Sequence, residues 1–589
     1  MTERWPRLAA ISVPLLAIAA SAAGIVNGFT YDDHYVIAVN PSIHTLHHWW
    51  NAFASSYWPK NAGGDGYRPM TILGFKVQWA LGGGSPVAFH AVNILLYAAV
   101  SLFVYLLARR VLPPVAAWLA AALFAVHPVH VEAVANVVGQ SELVVALAVV
   151  GATFLYVRDR QAGVLRIGTM VVIALLAAFA CLAKEHGVIL PAMLAAAELT
   201  IIDDPRPAGA RARQLRPFYL GLLAVDVAFV AARSFVLANR SLGGFEPFLP
   251  FVVLHVSQLD RVLTAVGVVP QWIRLLFWPL RLSADYGPPE IEIAQGPSVT
   301  LLPGFLLLIS IIWIAILVRR RRPAITFGIA VICIALLPSS NFILPAGIVI
   351  AERTLFLPSV GAMLVAGDLL LVGAEYLRRR FDAAAVRSTI VGPAACALLL
   401  STGVVRSAMR SRVWHDNGTL LLQTVRDAPD SYRAHYMLAT YYLRERSNKR
   451  FAESEYLKAL KLFPYDPYLA FTFGEAYRTT GRCDAAVPLY KWARQLDPDF
   501  PTGRTQYAQC LLETGNYDLA RQMALAAVRA GGVVSLLHEL IRQIDAKQRA
   551  PQRIDSTGKR SVTALGARRG KLPDTVQKST PGPTVAAPR

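Results

Sequence analysis

The chain has 589 residues, of which 55% are hydrophobic and only 16% are charged, and its mean hydropathy is +0.43. A chain of this composition cannot fold as one water-soluble core, because long apolar runs separated by arginine clusters are typical of polytopic membrane proteins. The formal net charge of +20 does not indicate a nucleic-acid-binding protein, since much of the excess lies in short loops and in the C-terminal tail.

The N-terminal part of the chain contains roughly eleven apolar segments that predict membrane-spanning helices. They cover residues 8–26, 86–107, 115–126, 143–157, 167–182, 188–202, 218–236, 299–318, 323–337, 355–377 and 390–405. Several are shorter than the approximately 20 residues that a bilayer requires, so we expect kinks, re-entrant segments or ends that extend into the flanking motifs.

Arginine clusters alternate between the loops and predict the orientation of the chain. Every second loop carries an arginine excess on the same side as Arg4 and Arg7, as in the run 319–322. By the positive-inside rule the N-terminus is cytoplasmic, and an odd number of spans then puts everything after residue 405 outside. An alternative is that the first segment is a cleaved signal peptide, because Ala20 to Gly24 resembles a cleavage site.

Two neighbouring carboxylates, Asp32 and Asp33, follow the first apolar segment on the predicted outer side. We expect both to face solvent. An aspartate in this position can take a proton from an acceptor hydroxyl, or hold a metal ion that does so. The alternative is a solvated loop or a helix N-cap, since aspartate is favoured at both.

His127, His130 and Glu132 lie at the outer end of the third segment. Histidine and carboxylate side chains can bind a divalent metal, so a site with Asp33, His127 and His130 is one interpretation. The spacing does not match a zinc-binding helix, and Pro128 would interrupt one. Imidazoles bonded to backbone at the end of a span are the alternative.

The other outer loops carry Lys184 and Glu185 in one turn, and Glu352 and Arg353 before the tenth segment. Charged groups near a membrane that are not on the cytoplasmic side are candidates for function. Lysine and arginine suit an anionic phosphate, the first as a point charge and the second as a bidentate donor. The alternative is an interhelical ion pair of Lys184 with Glu185 or Glu352.

Residues 411–545 show the spacing of about three tetratricopeptide repeats, which predicts a short α-solenoid. The repeated small, aromatic and proline residues include Gly474, Tyr477, Ala486, Tyr490 and Pro498, and Ala508, Leu511, Gly515 and Ala520 follow about 34 residues later. Cys483 and Cys510 lie in adjacent repeats, where a disulfide is possible. Residues 546–589 are basic, polar and without periodicity, so we expect a disordered tail.

The order of the motifs resembles that of the transmembrane and tetratricopeptide-repeat-containing protein O-mannosyltransferases. The resemblance rests on Tyr31-Asp32-Asp33, Tyr67-Arg68-Pro69, His127-Pro128-Val129-His130-Val131-Glu132, Lys184-Glu185-His186-Gly187, Trp278-Pro279-Leu280-Arg281 and Ala351-Glu352-Arg353. It implies an all-α, polytopic glycosyltransferase domain of the C type over residues 1–410, with a polyprenyl- or dolichyl-phosphate sugar as donor. Gln140 departs from the eukaryotic pattern, and the repeat array is shorter than theirs.

The resemblance implies a glycosyltransferase that moves a sugar, with mannose as first choice, to a hydroxyl acceptor such as Ser or Thr of a protein. Asp32 or Asp33 would be the base of a single inverting displacement, and Arg68, Lys184 and Arg353 would bind the lipid phosphate. The sugar or cavity residues would be His127, His130, Glu132, Glu185 and Glu352. The repeats would hold the acceptor polypeptide outside, and no metal is assigned with certainty.

Two other functions fit parts of the sequence. A membrane-anchored repeat scaffold without catalysis would explain the solenoid but not the charged outer loops. A transporter would explain the spans, yet its ionisable residues are expected near the bilayer midplane. The arginine and alanine content favours a bacterial inner membrane, and an endoplasmic reticulum membrane is expected if the chain is eukaryotic.

Overall fold

The computed structural model describes residues 4–59, 66–238, 249–380, 391–498, 503–529 and 534–549. In these ranges the regular structure is helical and contains no β-strand. The all-α fold class predicted from the sequence is therefore confirmed. Most of the tail predicted to be disordered, from residue 550 onward, lies outside the described residues.

The apolar part of the chain forms helices at each of the eleven predicted segments. The longer helices of this part are Arg4–Ser21, Pro69–Gly82, Pro86–Val111, Pro114–Ala125, Gln140–Gln161, Ile167–Ala183, Leu190–Thr200, Ala208–Leu237, Gln258–Phe277, Leu302–Val318, Pro323–Leu336, Pro358–Arg380 and Val391–Val413. Two of them, Pro69–Gly82 and Gln258–Phe277, were not among the predicted spans. Several begin with proline, whose missing N–H is not needed in the first turn.

Judged by their length and composition, fewer helices can span a membrane than the sequence predicted. Among the described residues seven helices are long and apolar enough to cross a membrane, or eight if the bent pair Pro114–Ala125 and Pro128–Ala135 is one span. Ile167–Ala183 and Pro323–Ser339 are apolar but shorter. The chain is an integral membrane protein, and the count of eleven is not confirmed.

Close helix packing is built on glycine at one crossing. A Cβ atom at Gly361 would lie 2.2 Å from the carbonyl oxygen of Gly328, so the helices Pro323–Leu336 and Pro358–Arg380 approach through these two residues. Small residues permit such backbone contact between membrane helices, where apolar packing rather than exclusion of water holds the bundle together.

The chain divides into two compact units. The first comprises residues 1–248, 257–286 and 292–427, and contains all the predicted site residues. The second comprises residues 249–256, 287–291 and 428–589. The helix Asn417–Asp427 belongs to the first unit, where Arg410 forms an ion pair with Asp427 at 2.6 Å.

The second unit contains three antiparallel helix pairs and a terminal helix, as expected for about three tetratricopeptide repeats. Its longer helices are Tyr432–Arg444, Lys449–Leu462, Pro467–Arg478, Cys483–Leu496, Arg504–Glu513, Tyr517–Arg529 and Val534–Arg549. Tyr456 stacks on Phe473 in the buried core. Cys483 and Cys510 form a disulfide with a Cα–Cα distance of 4.9 Å, which settles the pairing that the sequence left open.

Candidate active site

Asp33 is buried, so the expectation that it faces solvent is wrong. Its side chain accepts hydrogen bonds from the backbone N–H groups of Val138 at 2.8 Å, Val137 at 3.1 Å and Thr30 at 3.3 Å. Burial raises the pKa of Asp33 to about 7, and these three donors oppose the shift. Asp33 thus fixes the loop after the helix Arg4–Ser21 to the segment that follows Asn136.

Asp32 is the more accessible of the two carboxylates, with a side chain 22% exposed. It follows Tyr31, whose φ of 55° lies in the left-handed region, and the Tyr31 N–H donates to Asn417. A strained residue of this kind persists only where surrounding contacts hold it. The turn presents Asp32 to Arg353, at 4.0 Å between Oδ2 and Nη2.

Arg353 joins the loop that carries Asp32 to the motif that contains Glu132. Its guanidinium donates to Glu132 Oε1 at 2.5 Å, and its backbone N–H donates to Glu132 Oε2 at 2.9 Å. Glu132 is buried, whereas the Arg353 side chain is 20% exposed. Glu132 therefore orients Arg353, and the Nη2 atom of the guanidinium faces Asp32.

Lys184 forms an ion pair, but its partner is Glu142 and neither of the partners predicted. The Lys184 ammonium donates to Glu142 Oε1, and His186 Nε2 lies 3.3 Å from the other oxygen. Burial lowers the pKa of Lys184, and Glu142 opposes that shift. Glu142 is an acidic residue in the first turn of a membrane helix, a place where a carboxylate needs a cation.

Arg68 forms the third ion pair, with Glu185. Its Nε donates to Glu185 Oε2 at 2.9 Å, and the backbone N–H of Tyr67 donates to Oε1 at 3.2 Å. Burial tends to raise the pKa of Glu185, but the charges of Arg68 and Lys184 and the hydrogen bonds to the carboxylate together outweigh it, and the pKa falls to about 2. Glu185 is thus an anchor for Arg68.

His127 and His130 are buried and engaged by protein groups. His130 interacts through Nδ1 with the Tyr97 hydroxyl at 2.9 Å and through Nε2 with the Ser359 hydroxyl at 2.7 Å. His127 Nε2 lies 3.0 Å from the Leu276 carbonyl, and its Nδ1 accepts the Val129 N–H at 3.3 Å. These contacts match the backbone-bonded alternative for His127.

The proposed metal set does not come together in the structure. Asp33 is surrounded by backbone N–H donors, and both ring nitrogens of His130 are occupied. Within the part of the chain that is described, no group of three or more His, Cys, Asp or Glu side chains could hold a metal ion.

Glu352 is buried beside Arg353 but points to another segment. It accepts hydrogen bonds from the Ser283 N–H at 2.6 Å and from the Tyr286 hydroxyl at 2.7 Å. Burial raises its pKa to about 8. The contacts fix the loop after the helix Gln258–Phe277, so Glu352 supports the backbone that carries Arg353.

Asp32 and three cations, Arg68, Lys184 and Arg353, form a site that we call the charge cluster. Arg353 lies 4.0 Å from Asp32, and Lys184 interacts electrostatically with both arginines. Each cation comes from a different segment and each has a carboxylate partner, namely Glu185, Glu142 and Glu132. The three cationic side chains remain 16 to 20% exposed. Sequence reasoning found these cations and Asp32 but did not assign Glu142.

Two family models match the chain. The model described as "Dolichyl-phosphate-mannose-protein mannosyltransferase" matches residues 69–231, and the tetratricopeptide-repeat model matches residues 418–467 and 471–532. The first match begins one residue after Arg68 and contains Glu132, Glu142 and Lys184. The repeats predicted from spacing are therefore confirmed.

Curated relatives match over most of the chain. Protein O-mannosyl-transferase TMTC4 of Mus musculus is 27% identical over 483 residues, which cover 73% of this chain and 63% of the relative. TMTC1 of Homo sapiens is 25% identical, covering 74% of this chain and 53% of the relative. The chain thus spans somewhat under two thirds of the curated relatives' length. The resemblance inferred from the motifs is confirmed.

A solved structure also matches with low similarity. It is the archaeal oligosaccharyltransferase AglB from Archaeoglobus fulgidus in complex with an inhibitory peptide and a dolichol-phosphate, with a TM-score of 0.39 and 15% identity. The match covers 78% of this chain and 60% of that chain. A likeness at this level supports no conclusion about fold or function.

Proposed function

We propose that this protein is a membrane glycosyltransferase that moves a sugar, mannose as first choice, from a polyprenyl- or dolichyl-phosphate donor to a hydroxyl of a protein Ser or Thr. The observation that carries the proposal is the charge cluster, in which Arg353 lies 4.0 Å from Asp32 and Lys184 interacts electrostatically with Arg68 and Arg353. The match to dolichyl-phosphate-mannose-protein mannosyltransferases and the names of the relatives support the donor and the reaction class.

The buried carboxylates make the cations a fixed electrostatic site. Glu132 and Glu185 each bind a backbone N–H as well as their arginine, so neither guanidinium has to be reorganised when charge develops. Preorganised donors of this kind stabilise developing negative charge far better than mobile surface groups do. The exposed edges of Arg68, Lys184 and Arg353 would face the phosphate of the donor.

The reaction is a single displacement at the sugar C1. The acceptor hydroxyl oxygen forms the new bond to C1 as the bond between C1 and the phosphate oxygen breaks, and the electron pair leaves with the lipid phosphate. Asp32 takes the hydroxyl proton, since it is the accessible carboxylate of the pair and lies beside Arg353. Asp33 positions Asp32 through its backbone contacts rather than acting as the base.

We assign the repeats to the outer side together with the charge cluster. The disulfide between Cys483 and Cys510 supports this assignment, because disulfides persist in oxidising compartments. On that side the repeats would bind the acceptor polypeptide. A reporter fused after Arg406 should behave as extracytoplasmic, and a cytoplasmic readout would contradict the orientation.

The test of the activity is transfer by the purified full-length protein. It would be incubated with a panel of radiolabelled polyprenyl-phosphate sugars and Ser- or Thr-containing peptides, and the product measured for wild type and for Asp32→Asn. Transfer by wild type alone is expected. Binding of the donor without any transfer would contradict the enzyme and favour a scaffold, and movement of the intact donor across a vesicle would favour a transporter.

A further inference from the structure

Tyr57 is a residue of the first outer region that no motif singled out. Its backbone N–H donates to the Gly66 carbonyl at 2.7 Å, and its side chain is 2% exposed. The ring belongs to an apolar cluster that includes Val137 and Val138, the two residues whose N–H groups hold Asp33. Tyr57 therefore lies against the same segment as the aspartate pair.

The hydroxyl of Tyr57 is buried and has no hydrogen-bond partner among the described residues. A buried hydroxyl that stays unsatisfied is destabilising, so phenylalanine would be the more stable residue in the ligand-free protein. Neighbouring tyrosines differ in this respect, since the Tyr67 hydroxyl donates to the Phe53 carbonyl at 3.0 Å and the Tyr97 hydroxyl to that of Phe124 at 2.9 Å. A hydroxyl that the described part of the chain leaves unpaired is a candidate donor to a bound ligand.

The surroundings of Tyr57 indicate the chemistry of that partner. The Arg68 guanidinium lies over the ring, 4.6 Å from its centroid, and Asp32, Asp33 and Arg353 also act electrostatically on the phenol. Burial raises the pKa of Tyr57, so the hydroxyl stays protonated and can donate. A neutral donor beside two arginines suits an oxygen atom of an anion.

We propose that Tyr57 is a further donor-binding residue, whose hydroxyl donates a hydrogen bond to a non-bridging oxygen of the lipid-linked phosphate. This inference rests on the proposed function. Because the hydroxyl oxygen is closed to solvent in the ligand-free protein, donor binding has to displace part of its cover, while Arg68 keeps its ion pair with Glu185. Tyr57 and Arg68 would then bind the same group.

The decisive variant is Tyr57→Phe, which keeps the ring and removes only the oxygen. Its Tm without ligand should equal or exceed that of wild type, while its Kd for polyprenyl phosphate should rise about 10- to 100-fold, as expected for a lost hydrogen bond to a charged group. Tyr67→Phe should instead lower the Tm, because it removes a satisfied bond. Tyr105→Phe, distant from the cluster, should leave the Kd unchanged.

Inorganic phosphate would be measured beside polyprenyl phosphate. A loss of affinity with both probes is expected if the contact is to the phosphate, whereas a loss confined to the lipid probe would overturn that contact. Unchanged polyprenyl-phosphate affinity in Tyr57→Phe would overturn this inference alone. Failure of wild type to bind polyprenyl phosphate would overturn the proposed function, and this inference with it.

Discussion

The two aspartates of the loop after the helix Arg4–Ser21 should respond in opposite ways to the same substitution. Asp32→Asn should abolish transfer with little change in stability, and Asp33→Asn should destabilise the protein. This reverses the solvent-facing expectation for Asp33, because its carboxylate accepts three backbone N–H bonds in a buried place.

The size of the Asp33→Asn effect follows from those bonds. An asparagine keeps one acceptor oxygen, which can accept the hydrogen bonds of the Thr30 and Val137 N–H groups. Its amide nitrogen would then face the Val138 N–H, which in wild type lies 2.8 Å from Oδ1, and two donors cannot bond each other. Losing that charge-assisted bond should lower the free energy of unfolding by about 1.5–3 kcal/mol. The measurement is thermal unfolding of the full-length protein in nanodiscs.

For Asp32→Asn the structure predicts a kinetic effect. The carboxylate is partly exposed and 4.0 Å from Arg353, so the pair contributes about 0–1 kcal/mol to stability. Removal of a general base typically costs about 100- to 10,000-fold in rate, and it should appear in kcat for transfer of labelled sugar.

Two results would refute this division of roles. One is wild-type turnover in Asp32→Asn, which would exclude Asp32 as the base. The other is an inactive Asp33→Asn protein with unchanged Tm and unchanged donor binding, which would return the base assignment to Asp33.

Three further perturbations test the cluster and the repeats. Arg353→Lys should lower kcat/KM about 10- to 100-fold in steady-state kinetics, because lysine lacks the planar fork that bonds Glu132 and faces Asp32. An unchanged kcat/KM would exclude a role for the guanidinium. Glu185 has a folded pKa of about 2, below its unfolded value of about 4.5. Its contribution to stability is therefore present above pH 4.5 and is lost as the pH falls toward 2. The fall in Tm between pH 4.5 and 2 should be smaller in Glu185→Gln than in wild type. Cys483→Ser should destabilise the repeats by about 3 kcal/mol, seen as faster proteolysis of the full chain, and Cys333→Ala is the control expected to show no change.

The helices and repeats were predictable because their signals are local. Apolar runs such as 86–107 and the 34-residue spacing of small and aromatic residues need no knowledge of distant contacts. The span count was harder, because segments such as Ile167–Ala183 are too short to be judged by hydropathy alone.

The pairing of charges could not be read from the sequence. Arg353 and Glu132 are 221 residues apart, and Asp33 and Val138 are 105 apart. The alternative drawn from the sequence paired Lys184 with Glu185 or Glu352, but the packed helices bring Glu142 closer. The burial of Asp33 was missed for the same reason. Asp32 and Asp33 are adjacent in sequence, and only the distant backbone at Val137 and Val138 distinguishes them.

The pairing also constrains how a donor can bind. If Arg68, Lys184 and Arg353 were unpaired, a site with three positive charges would hold any phosphate tightly, including the lipid-phosphate product. Because each charge is balanced by a carboxylate, an incoming phosphate gains only the donors that the carboxylates leave free. Such a site would bind most strongly in the transition state, when negative charge has just moved onto the leaving oxygen. It would release the lipid-phosphate product once that oxygen is hydrated. Replacing Glu132 or Glu185 by glutamine should then tighten product binding even as it loosens the geometry of the arginines, so that product inhibition rises while kcat falls.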